Sequence, residues 1–119
     1  MNVQAWFSIV NPADIYLSVL VVGEIRQGIE RLQGRDPTQA AVYDNWLETL
    51  RQDYVDRILP ITEEVAQEWG RINFPNPVPV VDGLMAATAK VKGMTLVTRN
   101  TADVASTGVS LLNPFNPSN

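Results

Sequence analysis

The segment Val80–Asn100, VVDGLMAATAKVKGMTLVTRN, restricts the possible fold more than any other part of the chain. Its first half predicts a helix over Val81–Lys92, rich in small residues, that opens on Asp82 and is followed by Gly93 as an αL terminator. Its second half predicts an apolar strand over Thr95–Thr98 that ends on a polar turn. In open α/β sheets, ligands bind outside the carboxyl ends of the strands, so polar groups placed there by separate segments are candidates for one shared site.

A divalent metal ion is the expected occupant of that site. Asp82 and Asn100 are predicted to lie on neighbouring loops, and carboxylate and amide oxygens are ligands that hard cations prefer. The chain contains no cysteine and no histidine, which excludes disulfides, thiolate nucleophiles and zinc-thiolate sites and removes the commonest base at neutral pH. Only carboxylates, amides, hydroxyls and basic side chains remain for chemistry.

Helices alternate with short strands along the rest of the chain. The predicted helices are Val3–Val10, a helix from the Ser18 N-cap to a stop at Gly34, a helix from Asp36 and Pro37 to about Tyr54, a helix capped by Thr62, and a short turn or helix at Thr101–Ala105. The other predicted strands are Ile15–Leu17, Arg57–Ile61 and Val109–Leu112, and the loop Asn73–Pro79 contains three prolines. Residues from Asn113 to Asn119 are predicted to form a short tail.

Apolar stripes on the three longer helices before that loop predict a core. The stripes are Val21, Val22, Ile25, Ile29 and Leu32 on the first, Tyr43, Trp46, Leu47 and Leu50 on the second, and Val65, Ala66, Trp69 and Ile72 on the third. Strands separated by helices pair in parallel through right-handed crossovers, with helices on both faces. We therefore predict a single α/β domain over residues 1–119, a three-layer α/β/α arrangement with a short parallel sheet.

A long apolar strand, which a parallel sheet normally has at its centre, is not among the four predicted strands. We expect such a first strand to lie upstream of Met1. The longest apolar run, Ile15–Gly23, is shorter than the ~20 residues that a transmembrane helix needs, and the segment Met1–Gln4 carries no positive side chain that a signal peptide would require. These features predict a cytoplasmic protein.

Net charge limits the partners of the chain. The formal charge of −4 argues against nucleic-acid binding driven by the overall field, so a polyanion would have to be held locally.

Three motifs, in this order and spacing, strongly resemble the PIN-domain ribonucleases of the VapC toxin type. They are Glu24 within YLSVLVVGEIRQGIERL, Asp82 within VVDGLMAATA, and LVTRNTADV followed by GVSLLNPF. The resemblance runs from about residue 3 to residue 116. It implies a cluster of acids that binds Mg²⁺ or Mn²⁺, a metal-activated water that hydrolyses RNA phosphodiesters, a cognate antitoxin that blocks the site, and a homodimer.

The resemblance assigns roles residue by residue. Glu24 matches the glutamate of the family's V-x-E-like helix motif, and Asp82 matches the aspartate that opens the D-x-x-x-A-A-T-A helix. Asn100 matches the acid or asparagine of the T-R-N/D turn, and Asp103 matches the aspartate that often follows three residues later. The resemblance therefore implies that Glu24, Asp82 and Asn100 bind the metal and that Asp103 belongs to the same catalytic group.

Substrate contacts are expected from three further residues. Thr98 and Arg99 belong to the T-R-N turn and are expected to orient a phosphate or a metal-bound water. Arg26 is the basic residue nearest Glu24 in the sequence and is expected to approach the RNA phosphates.

Each acid also has a purely structural interpretation. A lone helical glutamate such as Glu24 is usually a solvated side chain, and Asp82 favours the helix dipole wherever it opens a helix. Asn100 is a common turn residue, and Asp103 caps short helical segments equally well.

The chain departs from the family at its start. Family members open with an apolar strand that ends in Asp-Thr-Asn and supplies the first metal-binding aspartate, and no such pattern occurs between Met1 and Ala13. We therefore expect a poor ribonuclease from this form of the chain. The alternative hypothesis is a catalytically degraded PIN-like module that acts in dimerisation or antitoxin binding, and a third is an unrelated α/β domain.

Overall fold

The computed structural model describes residues 12–98 and 101–113 of the 119-residue chain. The chain divides into two compact units. The first unit is Tyr16–Pro60, and the second comprises Ile61–Asn119 together with Met1–Ile15. None of the helices in the described ranges is both long and apolar enough to cross a bilayer. The predicted helix over Val3–Val10, the turn residues Arg99 and Asn100, and residues 114–119 of the predicted tail lie outside those ranges.

Two helices and a parallel strand pair form the first unit. Its elements are β1 (Leu17–Ser18), α1 (Val19–Gln33), α2 (Pro37–Asp53) and β2 (Ile58–Leu59). The strands run parallel, with Leu17 opposite Ile58 and Ser18 opposite Leu59. Because parallel strands cannot be joined by a tight turn, α1 and α2 together form the crossover between them.

Side-chain caps begin both helices of the first unit. The Ser18 hydroxyl accepts a hydrogen bond from the Leu20 N–H at 3.1 Å, and the Asp36 carboxylate accepts one from the Gln39 N–H at 3.1 Å. Pro37 occupies the first turn of α2, where its missing N–H would have no helical partner. The predicted starts of both helices are therefore confirmed.

The core of the first unit lies between α1 and α2. It consists of Ile29, Ala40 and Leu47, with Val22, Ile25, Leu32 and Leu50 packed against them. The prediction that Tyr43 and Trp46 are buried is wrong, since these residues are 45% and 50% exposed. At about 100° per residue, Trp46 lies about 120° around α2 from Ala40, which takes it away from the stripe that contacts α1.

The second unit contains the remaining elements. They are α3 (Glu63–Ile72), α4 (Val80–Lys92), β3 (Leu96–Val97), α5 (Thr101–Val104), a 3₁₀ turn (Ala105–Thr107) and β4 (Leu111–Leu112). The Thr62 hydroxyl accepts a hydrogen bond from the Val65 N–H at 3.2 Å, as the predicted N-cap requires. Gly93 ends α4 at a φ of 66°, which confirms the predicted αL terminator.

Small side chains on α4 let it pack closely in the core of the second unit. The buried members of that core are Val65, Ile72, Ala86, Ala87 and Val104. The predicted stripe on α3 is confirmed for Val65 and Ile72, and Trp69 packs against the same core. The prediction that Ala66 belongs to this buried stripe is wrong, since Ala66 is exposed.

Glu68 and Lys90 together connect three elements of the second unit. The Glu68 carboxylate accepts hydrogen bonds from Arg71 at 3.0 Å and pairs with Lys90 of α4 at 3.3 Å. Lys90 also donates to the Thr107 carbonyl at 3.3 Å. Burial alone would raise the pKa of Glu68, but the hydrogen bonds from Arg71 and Lys90 outweigh it and hold that pKa below its ordinary value.

The strands are shorter than the sequence pattern predicts. β3 and β4 run parallel, with Leu96 opposite Leu111, and each described strand contains two residues. Pro60 ends β2 early because proline has no N–H for the ladder. The Val109 N–H donates to the Thr107 hydroxyl at 3.3 Å, which keeps it out of β4. The predicted α/β class with short parallel strands is confirmed.

Candidate functional site

Asp82 lies in the first turn of α4, two residues after Val80. Pro79 precedes the helix and makes no side-chain cap, whereas α1, α2 and α3 are all capped by a side-chain oxygen. A carboxylate in this turn is stabilised by the partial positive charge at the helix N-terminus. Asp82 is half-buried, and within residues 12–98 and 101–113 its carboxylate has no ion pair or hydrogen bond.

Gly83 follows Asp82 and packs directly against the end of α3. A β-carbon at ideal geometry on Gly83 would lie 2.7 Å from Val78 Cγ2 and 3.2 Å from both Cδ1 and Nε1 of Trp69. The Asn73 side chain holds these neighbours, since its amide donates to the Trp69 carbonyl at 2.8 Å and its oxygen accepts from the Val78 N–H at 3.1 Å.

Sequence reasoning missed this contact between Gly83 and the end of α3. The available signal was a glycine inside the first turn of a helix, a position where alanine would favour the helix.

The chain lengths on the two sides of Gly93 predict how Asp82 lies relative to the end of β3. Asp82 precedes Gly93 by 11 residues, or about 16 Å of helix, and Thr98 follows Gly93 by five residues, or about 17 Å of extended chain. Ideal helix and strand rises therefore predict that Asp82 and Thr98 lie at about the same level when the chain reverses at Gly93. Thr98 is half-buried, and its N–H donates to the Leu112 carbonyl at 2.9 Å.

Asp103 lies on α5, the helix that follows the segment Thr98-Arg99-Asn100 in the sequence. Its side chain is exposed, and the part of the chain that the structure describes offers its carboxylate no ion pair. Arg99 and Asn100 connect β3 to α5 and lie outside the described residues.

Glu24 and Arg26 lie on α1 of the first unit, and both side chains are exposed. Arg26 donates to the Asp44 carboxylate of α2 at 2.8 Å and lies 3.9 Å from the Glu30 carboxylate. The hydrogen bond with Asp44 raises the pKa of Arg26 above its ordinary value. In the described ranges the Glu24 carboxylate has no such partner.

The predicted metal ligands fit a hard divalent cation by their chemistry. Glu24, Asp82 and Asn100 supply two carboxylates and one amide, all oxygen donors of the kind that Mg²⁺ and Mn²⁺ take. Both carboxylates lack a partner among the described residues, so no internal bond would have to break. Within residues 12–98 and 101–113, no three acidic side chains lie close enough together to hold a metal ion by themselves.

Residues 2–106 match the family model of the PIN domain. The chain is also similar to Toxin FitB of Neisseria gonorrhoeae (strain ATCC 700825 / FA 1090), with 29% identity over 119 residues that cover 96% of this chain and 85% of FitB. It is 25% identical to VapC ribonuclease Y4jK of Sinorhizobium fredii (strain NBRC 101917 / NGR234) over 121 residues, which cover 97% of this chain and 85% of that protein.

Solved structures show the same similarity in three dimensions. The crystal structure of FitAcB from Neisseria gonorrhoeae contains a chain that superposes with a TM-score of 0.85 and 31% identity, covering 93% of this chain and 83% of that one. A chain in the structure of FitAB bound to an IR36 DNA fragment superposes with a TM-score of 0.84 and 31% identity, covering 93% and 80%.

Proposed function

Because this chain belongs to the PIN-domain family, we propose that it is a metal-dependent ribonuclease and the toxin of a toxin–antitoxin pair that acts in the cytoplasm. The similarity to Toxin FitB and to VapC ribonuclease Y4jK supports this proposal. The single observation that carries it is the Asp82 carboxylate, which is half-buried and free of internal partners among the described residues. A carboxylate without an internal partner is available to bind a cation.

Glu24, Asp82 and Asn100 would hold Mg²⁺ or Mn²⁺ through their side-chain oxygens. When bound, such an ion supplies Lewis acidity and a water of lowered pKa for attack on a phosphodiester. The protein's own part is to fix the ligand oxygens, and Asp82 is held in the first turn of α4. Asp103, on the helix after the turn, adds a further carboxylate to the catalytic group.

Substrate phosphates would be held by Thr98, Arg99 and Arg26. Arg26 is paired with Asp44 in the free protein, and its side chain is 45% exposed. Exposed ion pairs of this kind contribute only about 0.2–1 kcal/mol, so a phosphate can replace Asp44 at little cost. The net charge of −4 makes such local contacts necessary for an RNA substrate.

A cognate antitoxin and a second copy of the chain are the proposed protein partners. The similarity to chains of the FitAB and FitAcB structures supports an antitoxin that binds this chain. We propose from the family resemblance that this antitoxin blocks the site. The homodimer is proposed from the family resemblance.

The decisive experiment is cleavage of single-stranded RNA by the purified protein with Mg²⁺ or Mn²⁺, with and without EDTA. We expect slow cleavage that EDTA abolishes and that Asp82→Asn slows by a further tenfold or so, since a neutral amide is a poorer ligand for a hard cation. Asp56→Asn makes the same chemical change at an exposed loop residue and should cleave like the wild type. Cleavage that survives both EDTA and Asp82→Asn would contradict the proposal.

Absence of cleavage by the wild type would instead favour the catalytically degraded module, provided that the protein still binds an antitoxin. Co-purification with a co-expressed candidate antitoxin distinguishes that outcome from an unrelated α/β domain.

A further inference from the structure

We propose that Trp69, Asn73, Val78 and Gly83 are positioning residues that set where the Asp82 carboxylate lies, an inference that rests on the proposed function. We call the surface that Trp69 and Val78 present to Gly83 the Gly83 seat. The packing of Gly83 against this seat fixes the first turn of α4, which has no side-chain N-cap, and so holds Asp82 in one position.

The distances at Gly83 leave no room for a side chain. The hypothetical β-carbon would lie 2.7 Å from Val78 Cγ2, closer than carbon atoms approach in folded proteins, and 3.2 Å from two atoms of the Trp69 ring. Val78 is 8% exposed and its χ1 is restricted by β-branching, so it cannot easily rotate away. The helix backbone itself therefore contacts the seat at this point.

The Asn73 side chain links Trp69 to Val78, the two residues that form the Gly83 seat. Its side-chain amide bonds the Trp69 carbonyl in the last turns of α3, and its side-chain oxygen bonds the Val78 N–H just before α4. The Trp69 indole Nε1 is buried and has no hydrogen-bond partner among the described residues. Packing against Gly83 and the Asn73 link, rather than a bond from the indole N–H, therefore place the ring.

The start of α4 depends on this seat because it has no side-chain cap. Pro79 supplies no capping oxygen, and the first helical bond is the one from the Gly83 N–H to the Pro79 carbonyl at 2.8 Å. Asp82 lies between these two residues. Any displacement of Gly83 from the seat therefore displaces the Asp82 carboxylate with it.

Even a small displacement of the Asp82 carboxylate matters for the binding of a small cation. Mg²⁺ and Mn²⁺ sites require ligand oxygens at about 2.1 Å, within about 0.2 Å, in near-octahedral directions. Relieving the overlap at 2.7 Å requires a shift of several tenths of an ångström in the helix or in its neighbours. A side chain at residue 83 should therefore weaken metal binding without unfolding the protein.

The test measures Mn²⁺ affinity directly, from the electron paramagnetic resonance signal of free Mn²⁺, together with a melting curve for each variant. Gly83→Ala should raise the Kd for Mn²⁺ roughly tenfold or more, as mutations that disturb the support of metal ligands do. Gly70→Ala is the matched control, because a β-carbon there meets nothing within 4 Å. It should keep the wild-type Kd and melt at the same or a higher temperature.

Two further variants distinguish a role in positioning Asp82 from a general loss of stability. The double variant Gly83→Ala/Val78→Ala removes the 2.7 Å overlap and should regain most of the lost affinity relative to Val78→Ala alone. Asn73→Ala leaves Gly83 unchanged but removes the hydrogen bonds that link Trp69 to Val78. It should therefore also raise the Kd for Mn²⁺. If Gly83→Ala fails to melt cooperatively, Asn73→Ala decides the question alone.

Asp82→Asn distinguishes failure of this inference from failure of the proposed function. If Asp82→Asn loses Mn²⁺ affinity while Gly83→Ala and Asn73→Ala bind like the wild type, the Gly83 seat has no positioning role. If Asp82→Asn and the wild type have the same Kd, Asp82 is not a metal ligand, and both the proposed site and this inference are overturned.

Discussion

Leu47, in the first unit, is one of the largest fully buried side chains in the described part of the chain. It is 1% exposed and lies in the core between α1 and α2 with Ile29 and Ala40. Leu47→Ala should lower the free energy of unfolding by about 2–5 kcal/mol, through lost burial and the cavity that remains. Urea denaturation monitored by circular dichroism measures the change. Val42→Ala, on the same helix but 54% exposed, should change stability by less than about 0.5 kcal/mol.

A hydroxyl has opposite effects at two threonines of this chain. Thr62 caps α3, and Thr62→Ala should lower the free energy of unfolding by about 1 kcal/mol because the Val65 N–H loses its partner. Thr49 lies inside α2, where its hydroxyl bonds the Asn45 carbonyl one turn earlier. Thr49→Ala should be neutral or slightly stabilising, since alanine favours the helix interior. Equal losses of stability in the two variants, measured by thermal melting, would contradict the capping role of Thr62.

At the scale of elements, Glu68 makes the packing of α3 on α4 depend on pH. Its pKa is lowered in the folded protein from an ordinary value of 4.5, so its ion pairs contribute fully above that pH and are lost as the pH falls through the folded value. The wild type should therefore lose more stability than Glu68→Gln between about pH 5 and pH 3. Urea midpoints across this range measure the difference.

Glu64→Gln provides the matched control for Glu68→Gln. Glu64 is an exposed residue of the same helix, and the variant should follow the wild type through the acid range. A Glu68→Gln profile parallel to that of the wild type would show that the link to Lys90 contributes nothing to stability.

Helix boundaries could be predicted well because local chemistry determines them. Ser18, Asp36 and Thr62 each cap the helix that the sequence pattern assigns to them, and Gly93 has the positive φ that its position requires. These bonds form between residues two or three positions apart, so the local sequence contains all the necessary information.

Features that depend on distant residues could not be predicted in the same way. Apolar periodicity marks Trp46 as a core candidate, but the width of the buried stripe depends on how α1 lies against α2. The Gly83 seat brings residues of α3 and of the loop Asn73–Pro79 against α4, and no local sequence pattern predicts this close contact. Asp82 could be placed at the start of a helix from sequence, whereas the residues that hold that start could not.

At the scale of the whole molecule, metal binding should be visible as stability. Ligands that bind only the folded state stabilise it by mass action, by about 2.7 kcal/mol at 100 times the Kd. Mn²⁺ at that level should raise the Tm by roughly 10 °C for a chain of this size. Asp82→Asn and Glu24→Gln should each show a smaller rise, because each removes a charged ligand.

The Asp56→Asn variant serves as the control for that measurement. It should show the full rise in Tm, since Asp56 is an exposed residue outside the proposed ligand set. Equal rises in the wild type, Asp82→Asn and Glu24→Gln would show that Mn²⁺ binds elsewhere on this acidic protein.

The different surroundings of Trp46 and Trp69 give each unit its own optical signal. Trp46 in the first unit is 50% exposed, so its fluorescence should be red-shifted and quenched by iodide. The indole nitrogen of Trp69 in the second unit is buried beside Gly83, so its emission should be blue-shifted and shielded from iodide. In a Trp6→Phe background, the ratio of the two emissions during denaturation reports directly whether the two units unfold together or in sequence.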